Sequence, residues 1–173
     1  GADPDRYFAI SFDAKGGNVE GDLPTLFDSV AGLATLPVAT KSGYIFAGWL
    51  LDGQIVTSIP AGTKKDVALV ASWNEIALYV GANENYKTIA EALAAVKEGE
   101  KIILTAGTYA DDVTLNVKGI TLAGKEGEKA VITGTITIEA KDVTVQGLEF
   151  TGAAKIRGKQ VIGFTFENNH IYD

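Results

Sequence analysis

The first part of the chain alternates apolar with polar or small residues in short stretches, which predicts β-strands. YFAISFDA (7–14) alternates at period two, and KGGN (15–18) follows with residues that tolerate positive φ, so this strand is expected to end in a turn. GYIFAGW (43–49) and VALVASW (67–73) predict two further strands. The Asp-Gly pair at 52–53 predicts a hairpin turn after the first of them.

The segment 22–37 has an ambiguous pattern. Its apolar residues fall at helix-like spacing and are Leu23, Leu26, Phe27, Val30 and Leu33. Gly32 and the flanking prolines leave room for only a short helix or an irregular strand. Both alternatives stay open at this stage.

A helical pattern follows in the second part of the chain. Ile89, Leu93 and Val96 fall at spacings of four and three with alanines around them, which predicts one amphipathic helix over about 87–97. KIILTAGTY (101–109) then predicts a strand closed by a turn.

The flanks of this helix carry start and stop signals. Thr88 is expected to be the N-cap, because Glu91 follows at the capping-box spacing. Gly99 is the expected stop.

After the helix the apolar pattern repeats. Val113, Leu115, Ile120 and Leu122 recur 23 positions later as Ile136, Ile138, Val143 and Val145. VQGLEF (145–150) recurs 16 positions later as VIGFTF (161–166), and KEGEKA (125–130) is the expected insertion in the longer coil. Short strands returning at such intervals indicate a solenoid of about three coils, whose first rung the amphipathic helix can cover.

A change of composition near residue 74 predicts the domain boundaries. Both tryptophans and three of the four prolines lie before this point. We therefore expect a scar and tail at 1–6, a first domain at 7–73 and a second at 74–173. We also expect the natural protein to continue, since the chain begins without Met and stops as a new coil would start.

Charge and composition exclude several classes of function. The chain carries a formal net charge of −7 and both parts are mildly acidic, which argues against nucleic-acid binding. There is no cysteine, so disulfides and thiolate metal sites are impossible. No apolar run approaches the roughly 18 residues of a membrane helix. No cofactor is expected.

Residues 7–73 resemble the bacterial cell-surface B-repeat of the internalin and Listeria-Bacteroides type. The resemblance rests on five motifs in order: FDAKGG, LP, SGYIFAGW, a DG turn and VALVASW. This resemblance implies a small β-grasp module. It also implies that Tyr44, Phe46, Trp49 and Trp73 are core residues, and that Val70, which replaces a frequent aromatic, thins the core slightly. The period-two pattern agrees by placing Tyr44 and Phe46 on one face, with Gly43 and Gly48 allowing bends at the strand ends. Carbohydrate stacking on an exposed Trp49 is the alternative.

Residues 78–173 resemble the N-terminal cap and first coils of right-handed parallel β-helix proteins. The resemblance rests on two motifs, YKTIAEALAAVKEGEKIILTAGTYADDVTL and GITLAG. That pectate-lyase-like superfamily includes pectate lyases, pectin methylesterases and surface proteins. The expected fold is therefore mainly β: a β-grasp-like B-repeat followed by an α-helix-capped right-handed parallel β-helix. Such a fold carries many activities, so function must come from a site.

Lyases and hydrolases on this fold use clustered carboxylates, often with Ca²⁺. The candidate acids in this chain are Asp111, Asp112, Glu139, Asp142, Glu149 and Glu167. Asp111 and Asp112 are adjacent and should point apart, which is typical of solvated turn residues. Glu149 should face outward if Leu148 and Phe150 face inward, and we expect it to align with Thr165 in the next coil.

The remaining candidates indicate structural roles. His170 is the only histidine and is expected on the surface or in a turn rather than at a metal or in a catalytic triad. Arg157 could bind a substrate carboxylate but has no evident partner at coil spacing. Asn168 and Asn169 resemble the asparagine turn of β-helices. No catalytic, cofactor or metal residue is therefore assigned.

Three functions are consistent with these features. The favoured one is a non-catalytic fragment of a bacterial cell-surface or secreted protein that binds a polysaccharide or a host or cell-surface protein. The alternatives are the N-terminal part of a polysaccharide-degrading enzyme with its acids downstream, and a structural stalk. All three imply an extracellular location, and the open end of the solenoid is expected to permit self-association.

Overall fold

The computed structural model describes residues 3–152, 154–159 and 162–172. The chain divides after Asn74 into two units, each with its own apolar core. Strands dominate both units, so the predicted mainly β class is confirmed. The residues that were expected to be a scar at Gly1, and Val161 in the second repeat, lie outside the described residues.

The first unit contains seven strands, of which five form one mixed sheet in the order β3-β1-β7-β5-β6, while β2 and β4 form a separate pair. Strand β1 runs parallel to β7 and antiparallel to β3. The strands are β1 (Tyr7–Asp13), β2 (Asn18–Val19), β3 (Leu26–Asp28), β4 (Ala39–Thr40), β5 (Tyr44–Leu51), β6 (Gln54–Val56) and β7 (Val67–Glu75).

Two turns predicted in this unit are confirmed. The KGGN turn places Lys15 and Gly16 at φ 49° and 86°. Leu51 pairs with Gln54 across a two-residue turn in which Asp52 and Gly53 both have positive φ. Positive φ at both central residues matches the twist of the flanking strands, as an Asp-Gly hairpin requires.

The ambiguous segment 22–37 forms strand β3 and turns. Phe27 is buried and pairs with Phe8 of β1, so tertiary pairing decides between the two patterns. Gly32 has φ 70°, and its Cα lies so close to the backbone of Ile59 and Pro60 that a Cβ would collide with it. The described part of this unit contains no helix. The β-grasp assignment stays a prediction.

Trp49 lies at the centre of the first core, as predicted. Its side chain is 1% exposed, and its Nε1 donates a 2.8 Å hydrogen bond to the Pro37 carbonyl oxygen. Phe12 and Phe46 contact the indole edge-to-face at centroid distances of 5.1 and 5.4 Å. This geometry suits the quadrupole of aromatic rings. Burial rules out the alternative of sugar stacking on Trp49.

Gly48 brings Phe46 and Trp49 to the same core. Residues three apart in a regular strand point to opposite faces. Strand β5 nevertheless continues through Gly48, whose φ of 123° shifts the alternation. The expectation that Gly48 marks a strand end is therefore wrong, because the glycine acts within the strand.

The other aromatic positions differ in their surroundings. Trp73 and Phe46 are partly buried and pack on the core, as expected. Tyr44 is half-buried and lies outside the core, with Lys41 Nζ 4.2 Å above its ring, so the expectation that it is a core residue is wrong. Val70 lies on the opposite face of β7 from the buried Val67, Leu69 and Ala71, so the expectation that it thins the core is wrong.

The second unit is a parallel β-solenoid with three sheets, which confirms the predicted solenoid. It has about four turns, so the expected number of about three coils is too low. Their orders are β8-β9-β12-β15-β18, β10-β13-β16-β19 and β11-β14-β17. The elements are β8 (Ala77–Val80), α1 (Ile89–Ala95), β9 (Lys101–Leu104), β10 (Gly107–Tyr109), β11 (Val113–Leu115), β12 (Thr121–Gly124), β13 (Ala130–Ile132), β14 (Thr135–Ile138), β15 (Thr144–Gln146), β16 (Glu149–Phe150), β17 (Lys155–Gly158), β18 (Thr165–Glu167) and β19 (His170–Ile171).

The predicted 23-residue repeat is confirmed by strand pairing. Val113 pairs with Ile136, Leu115 with Ile138, and Leu122 with Val145. All eight side chains of the repeat are at most 6% exposed. Full burial of each such side chain contributes about 1.5–3 kcal/mol, so these rows form the core that joins the coils.

The predicted 16-residue step is wrong, since the last coil advances by 21 residues. Val145 pairs with Phe166, and Glu149 pairs with His170. The similarity between VQGLEF and VIGFTF therefore aligns residues from different sheets. The register between coils is set by which inward side chains stack and by how long the corners are. A short similarity in apolar pattern gives neither of these.

The number of residues from one coil to the next can be counted at one corner, where each coil has a residue in the left-handed conformation. Gly99, Gly119, Asp142 and Gly163 all have φ between 57° and 78°. The Gly119 N–H donates to the Lys141 carbonyl oxygen of the next coil, and the Asp142 N–H donates to that of Ile162. These left-handed residues stack at steps of 20, 23 and 21, which the sequence shows as EGEK, KGIT, KDVT and IGFT.

Helix α1 caps the solenoid with an apolar face. Ile89 and Ala92 are buried in the solenoid core, and the helix packs against β8, β9 and β11. The Thr88 hydroxyl accepts from the Glu91 N–H at 3.1 Å, which confirms the N-cap. The Glu91 carboxylate accepts from the backbone N–H of Lys87 instead of that of Thr88.

The C-terminal boundary of the helix was predicted incorrectly. Val96 is the C-cap, whereas Gly99 lies in the following turn, so it does not stop the helix. The following segment 101–109 is two strands, β9 and β10, joined by a two-residue corner. The corner is needed because each coil must bend between sheets.

Replacing Trp49 by Ala is expected to lower the free energy of unfolding of the first unit by roughly 3–5 kcal/mol, because it leaves an indole-sized cavity. Urea denaturation followed by Trp73 fluorescence measures the loss. Ile45→Ala is the matched control on the same strand, since Ile45 is 58% exposed. Equal midpoints for the two variants would contradict the central role of Trp49.

Candidate functional site

The candidate carboxylates are distributed over several places in the solenoid. Asp111 and Asp112 are exposed between β10 and β11, as expected for turn residues. Glu139 and Asp142 are exposed between β14 and β15, and Glu167 is exposed on β18. Among the described residues no group of three or more His, Asp or Glu is placed to hold a metal ion.

Asp112 supports the adjacent coil. Its Oδ1 accepts a 2.7 Å hydrogen bond from the backbone N–H of Thr135. Thr135 begins β14, so this bond satisfies a strand-end donor in the next coil. The contact gives Asp112 a structural role at the corner.

Glu149 faces outward, as predicted, while Leu148 and Phe150 are buried. Its carboxylate lies 3.6 Å from Lys129 Nζ, and its side chain is 21% exposed. Its neighbours along the coil axis are Val131 and His170, so the expected alignment with Thr165 is wrong. That correction follows from the 21-residue step.

His170 and Arg157 lie on the surface, as expected for His170. The His170 ring packs on Tyr172 at a centroid distance of 4.1 Å. Arg157 is exposed on β17 and pairs in register with Thr137 of the preceding coil.

Asn168 and Asn169 have different structural roles at one corner. Asn168 has φ 52°, the left-handed conformation that Asn tolerates. The Asn169 side chain accepts from the Leu148 N–H and donates to the Val145 carbonyl oxygen, each at 2.9 Å. The expected asparagine turn is therefore present, and the Asn169 amide joins the coils through backbone groups.

A cleft near the helical cap is lined in part by two polar side chains, Lys87 and Tyr109, that already form hydrogen bonds. It has a volume of about 280 Å³ and includes Lys87 and Tyr109 in its lining. Lys87 Nζ donates to the Ala82 and Glu84 carbonyl oxygens, and the Tyr109 hydroxyl donates to that of Thr105. Burial raises the pKa of Tyr109, which keeps the hydroxyl protonated as a donor. These contacts indicate a structural role.

A larger polar cleft lies beside the insertion loop, residues 125–129. Five residues separate β12 from β13, whereas two separate β15 from β16 and two separate β18 from β19. The longer loop leaves a cleft of about 460 Å³ beside the next two coils. We call it the loop cleft. Its lining is Gly124, Lys125, Glu126, Gly127, Glu128, Gln146, Gly147 and Asn168.

Contacts to both neighbouring coils position the insertion loop. The Lys125 N–H donates to the Leu104 carbonyl oxygen of the preceding coil. At the other end, Lys129 contacts Glu149 of the following coil. Lys125 Nζ also lies 3.2 Å from the Glu128 carboxylate. The loop is therefore tied at both ends.

The loop cleft offers both donors and acceptors of hydrogen bonds. Gln146, which is half-buried, and Asn168, which is exposed, both line it. Each amide side chain can donate and accept at the same time. Glu126 adds an exposed carboxylate. Such a lining suits a ligand that carries many hydroxyl groups.

Sequence reasoning located the insertion but missed the cleft. KEGEKA is confirmed as the extra segment of its coil. Gln146 was not among the candidates, because the 16-residue step aligns it with Ile162, and Asn168 was expected to have only a structural role in a turn. The stacked KDVT and IGFT segments, 21 residues apart, were the signal that aligns Gln146 with Glu167, the residue before Asn168.

Asn169→Ala is expected to destabilise the last coils by about 1–3 kcal/mol, because it leaves the buried Leu148 N–H without an acceptor. Amide hydrogen exchange at Leu148 measures this change locally. Asn168→Gly is the matched control, since glycine adopts the left-handed conformation freely. Unchanged protection of Leu148 in Asn169→Ala would show that the side-chain bond is dispensable.

Comparisons with known proteins agree with part of this picture. A family model of the Listeria-Bacteroides repeat domain matches residues 8–72, a repeat typical of bacterial surface proteins. No curated protein and no solved structure matched the chain. The part of the chain described here has no helix long and apolar enough to cross a membrane. Residues 8–72 are thus similar to the Listeria-Bacteroides repeat, and a β-solenoid follows them.

Proposed function

We propose that this chain is a non-catalytic binding part of a bacterial cell-surface or secreted protein. In this proposal the solenoid binds a polysaccharide in the loop cleft, and the repeat domain acts as a spacer or interaction module. The proposed location is extracellular. The match of residues 8–72 to a surface-protein repeat supports the location.

The polar lining of the loop cleft is the observation that supports a polysaccharide as the ligand. Its volume of about 460 Å³ lies in the range of small-molecule sites and is large enough for one or two sugar rings. Gln146 and Asn168 offer paired donors and acceptors to ring hydroxyls, and Glu126 offers a strong acceptor. Backbone hydrogen bonds to Leu104 and Gly107 of the preceding coil hold the loop at both ends, so less conformational entropy is lost on binding.

The dispersal of the carboxylates favours binding over cleavage. Glycoside hydrolysis requires two carboxyl groups on either side of the scissile bond. Calcium-assisted cleavage requires several acids that share one ion. In the described solenoid the six candidate acids are divided among corners and sheets, and Glu149 pairs with Lys129. Two further acids, Glu126 and Glu128, line the loop cleft, and Glu128 pairs with Lys125.

Affinity electrophoresis of the protein through plant, host and microbial polysaccharides tests the proposal. At least one polysaccharide is expected to retard the parent. Gln146→Ala should weaken that interaction about five- to tenfold, the effect of one lost hydrogen bond. Thr137→Ala, an outward substitution on another sheet, is the matched control and should bind like the parent.

An assay for reducing ends and unsaturated products with added Ca²⁺ distinguishes the enzyme alternative. Product formation would contradict the non-catalytic proposal. Retardation that survives Gln146→Ala unchanged would place the binding site elsewhere. A complete absence of retardation would favour protein binding or a stalk and would overturn the polysaccharide proposal.

A further inference from the structure

One row of outward-facing side chains crosses the sheet that borders the loop cleft. Backbone pairing in the order β8-β9-β12-β15 places four residues side by side, namely Tyr79, Ile103, Ala123 and Gln146. Each of them directly follows a core residue of its strand, so its side chain faces away from the core. Those core residues are Leu78, Ile102, Leu122 and Val145. We call the four outward positions the outer row.

The outer row is apolar at one end and polar at the other. Tyr79 is 42% exposed, Ile103 is half-buried and Ala123 is buried. Gln146 is half-buried and lines the loop cleft, and the charged Glu167 follows it in register. Neighbouring strands lie about 4.8 Å apart, so the three steps of the row place Tyr79 roughly 14 Å from Gln146. The row therefore leads from the cleft to an exposed aromatic side chain outside the cleft lining.

The Tyr79 side chain lacks the contacts that hold other tyrosines of the solenoid. The Tyr109 hydroxyl donates to the Thr105 carbonyl oxygen, and the Tyr172 ring packs on His170. In the part of the chain that the structure describes, the Tyr79 hydroxyl forms no hydrogen bond and its ring forms no aromatic pair. The exposed ring therefore offers a rigid apolar face, and its hydroxyl can donate and accept. A sugar ring presents the matching groups, a face of C–H bonds with hydroxyls at its edge.

The outward face of this sheet carries hydroxyl and amide groups and little charge, although the chain has a formal net charge of −7. The row next to the outer row contains three stacked threonines, Thr121, Thr144 and Thr165. Lys101 precedes them in register, and its Nζ lies 3.0 Å from the Glu75 carboxylate. An occupant of this face therefore needs neither a compensating charge nor a continuous apolar surface. A neutral polysaccharide chain meets both conditions.

We propose that a neutral polysaccharide bound in the loop cleft continues along the outer row and stacks one of its sugar rings on Tyr79. This inference rests on the proposed function, because Gln146 belongs to both the cleft and the row. The cleft holds one end of the bound segment, and Tyr79 adds a contact that only a longer chain can make. Tyr79 is therefore the residue that sets a preference for chain length.

Isothermal titration calorimetry with neutral oligosaccharides of two and of six sugar units tests the proposal. The probes are cello-, xylo-, manno- and laminari-oligosaccharides. In at least one series the six-unit compound is expected to bind the parent about tenfold or more tightly than the two-unit compound. Tyr79→Ala should weaken six-unit binding about five- to tenfold through the lost stacking, and it should leave two-unit binding unchanged. Tyr79→Phe should retain most of the preference, because it keeps the ring.

Tyr7→Ala is the matched control on the first unit, where Tyr7 is 50% exposed, and it should bind like the parent. Circular dichroism establishes that each variant is folded. Six-unit binding that Gln146→Ala weakens but Tyr79→Ala leaves unchanged would overturn the path along the outer row and leave the proposed function standing. Equal affinities of the parent for the two lengths would also overturn this path. If no probe binds the parent, the proposal fails, and electrophoresis on the wider panel decides the proposed function separately.

Discussion

The solenoid depends on parallel backbone pairing between each coil and the coil before it. Inward side chains stack into apolar rows only when this register holds, and the rows through Leu122 and Val145 are almost completely buried. The left-handed corners at Gly119 and Asp142 keep the register by bonding to the following coil. Burial supplies the stabilising free energy, while the backbone pairs supply direction and spacing. A corner is therefore free to vary in length provided that both constraints are met.

This tolerance is the origin of the loop cleft. The five residues of the insertion loop leave the strands on either side in register, because Ala130 still pairs with Gly107 and Val131 with Glu149. The scaffold gives the loop fixed attachments, and the loop gives this side of the solenoid a concave polar surface. Rigid strands that position a variable loop are a common basis for binding sites.

The first unit is stabilised differently, by one aromatic core in which glycines lie where the backbone and the aromatic rings come close together. Trp49 fills the core, and Gly48 turns it toward Phe46. Gly17 has no side chain where the Trp73 ring lies, since a Cβ there would collide with the indole. The glycines leave the space that the large aromatic rings fill. This close packing explains why residues 7–73 combine aromatic residues with glycines.

The sequence by itself determined strands β1, β5 and β7 of the first unit, the hairpin at Asp52, the helix with its N-cap and the 23-residue repeat, because periodicity and turn chemistry are local properties. The tertiary structure decided that 22–37 contains a strand, that the last coil advances by 21 residues, and that Glu149 lies beside His170 and Lys129. Each of these outcomes depends on which distant residues stack or pair. The loop cleft likewise required the tertiary structure, since Gln146 and Asn168 meet the insertion loop only when corners of unequal length are stacked.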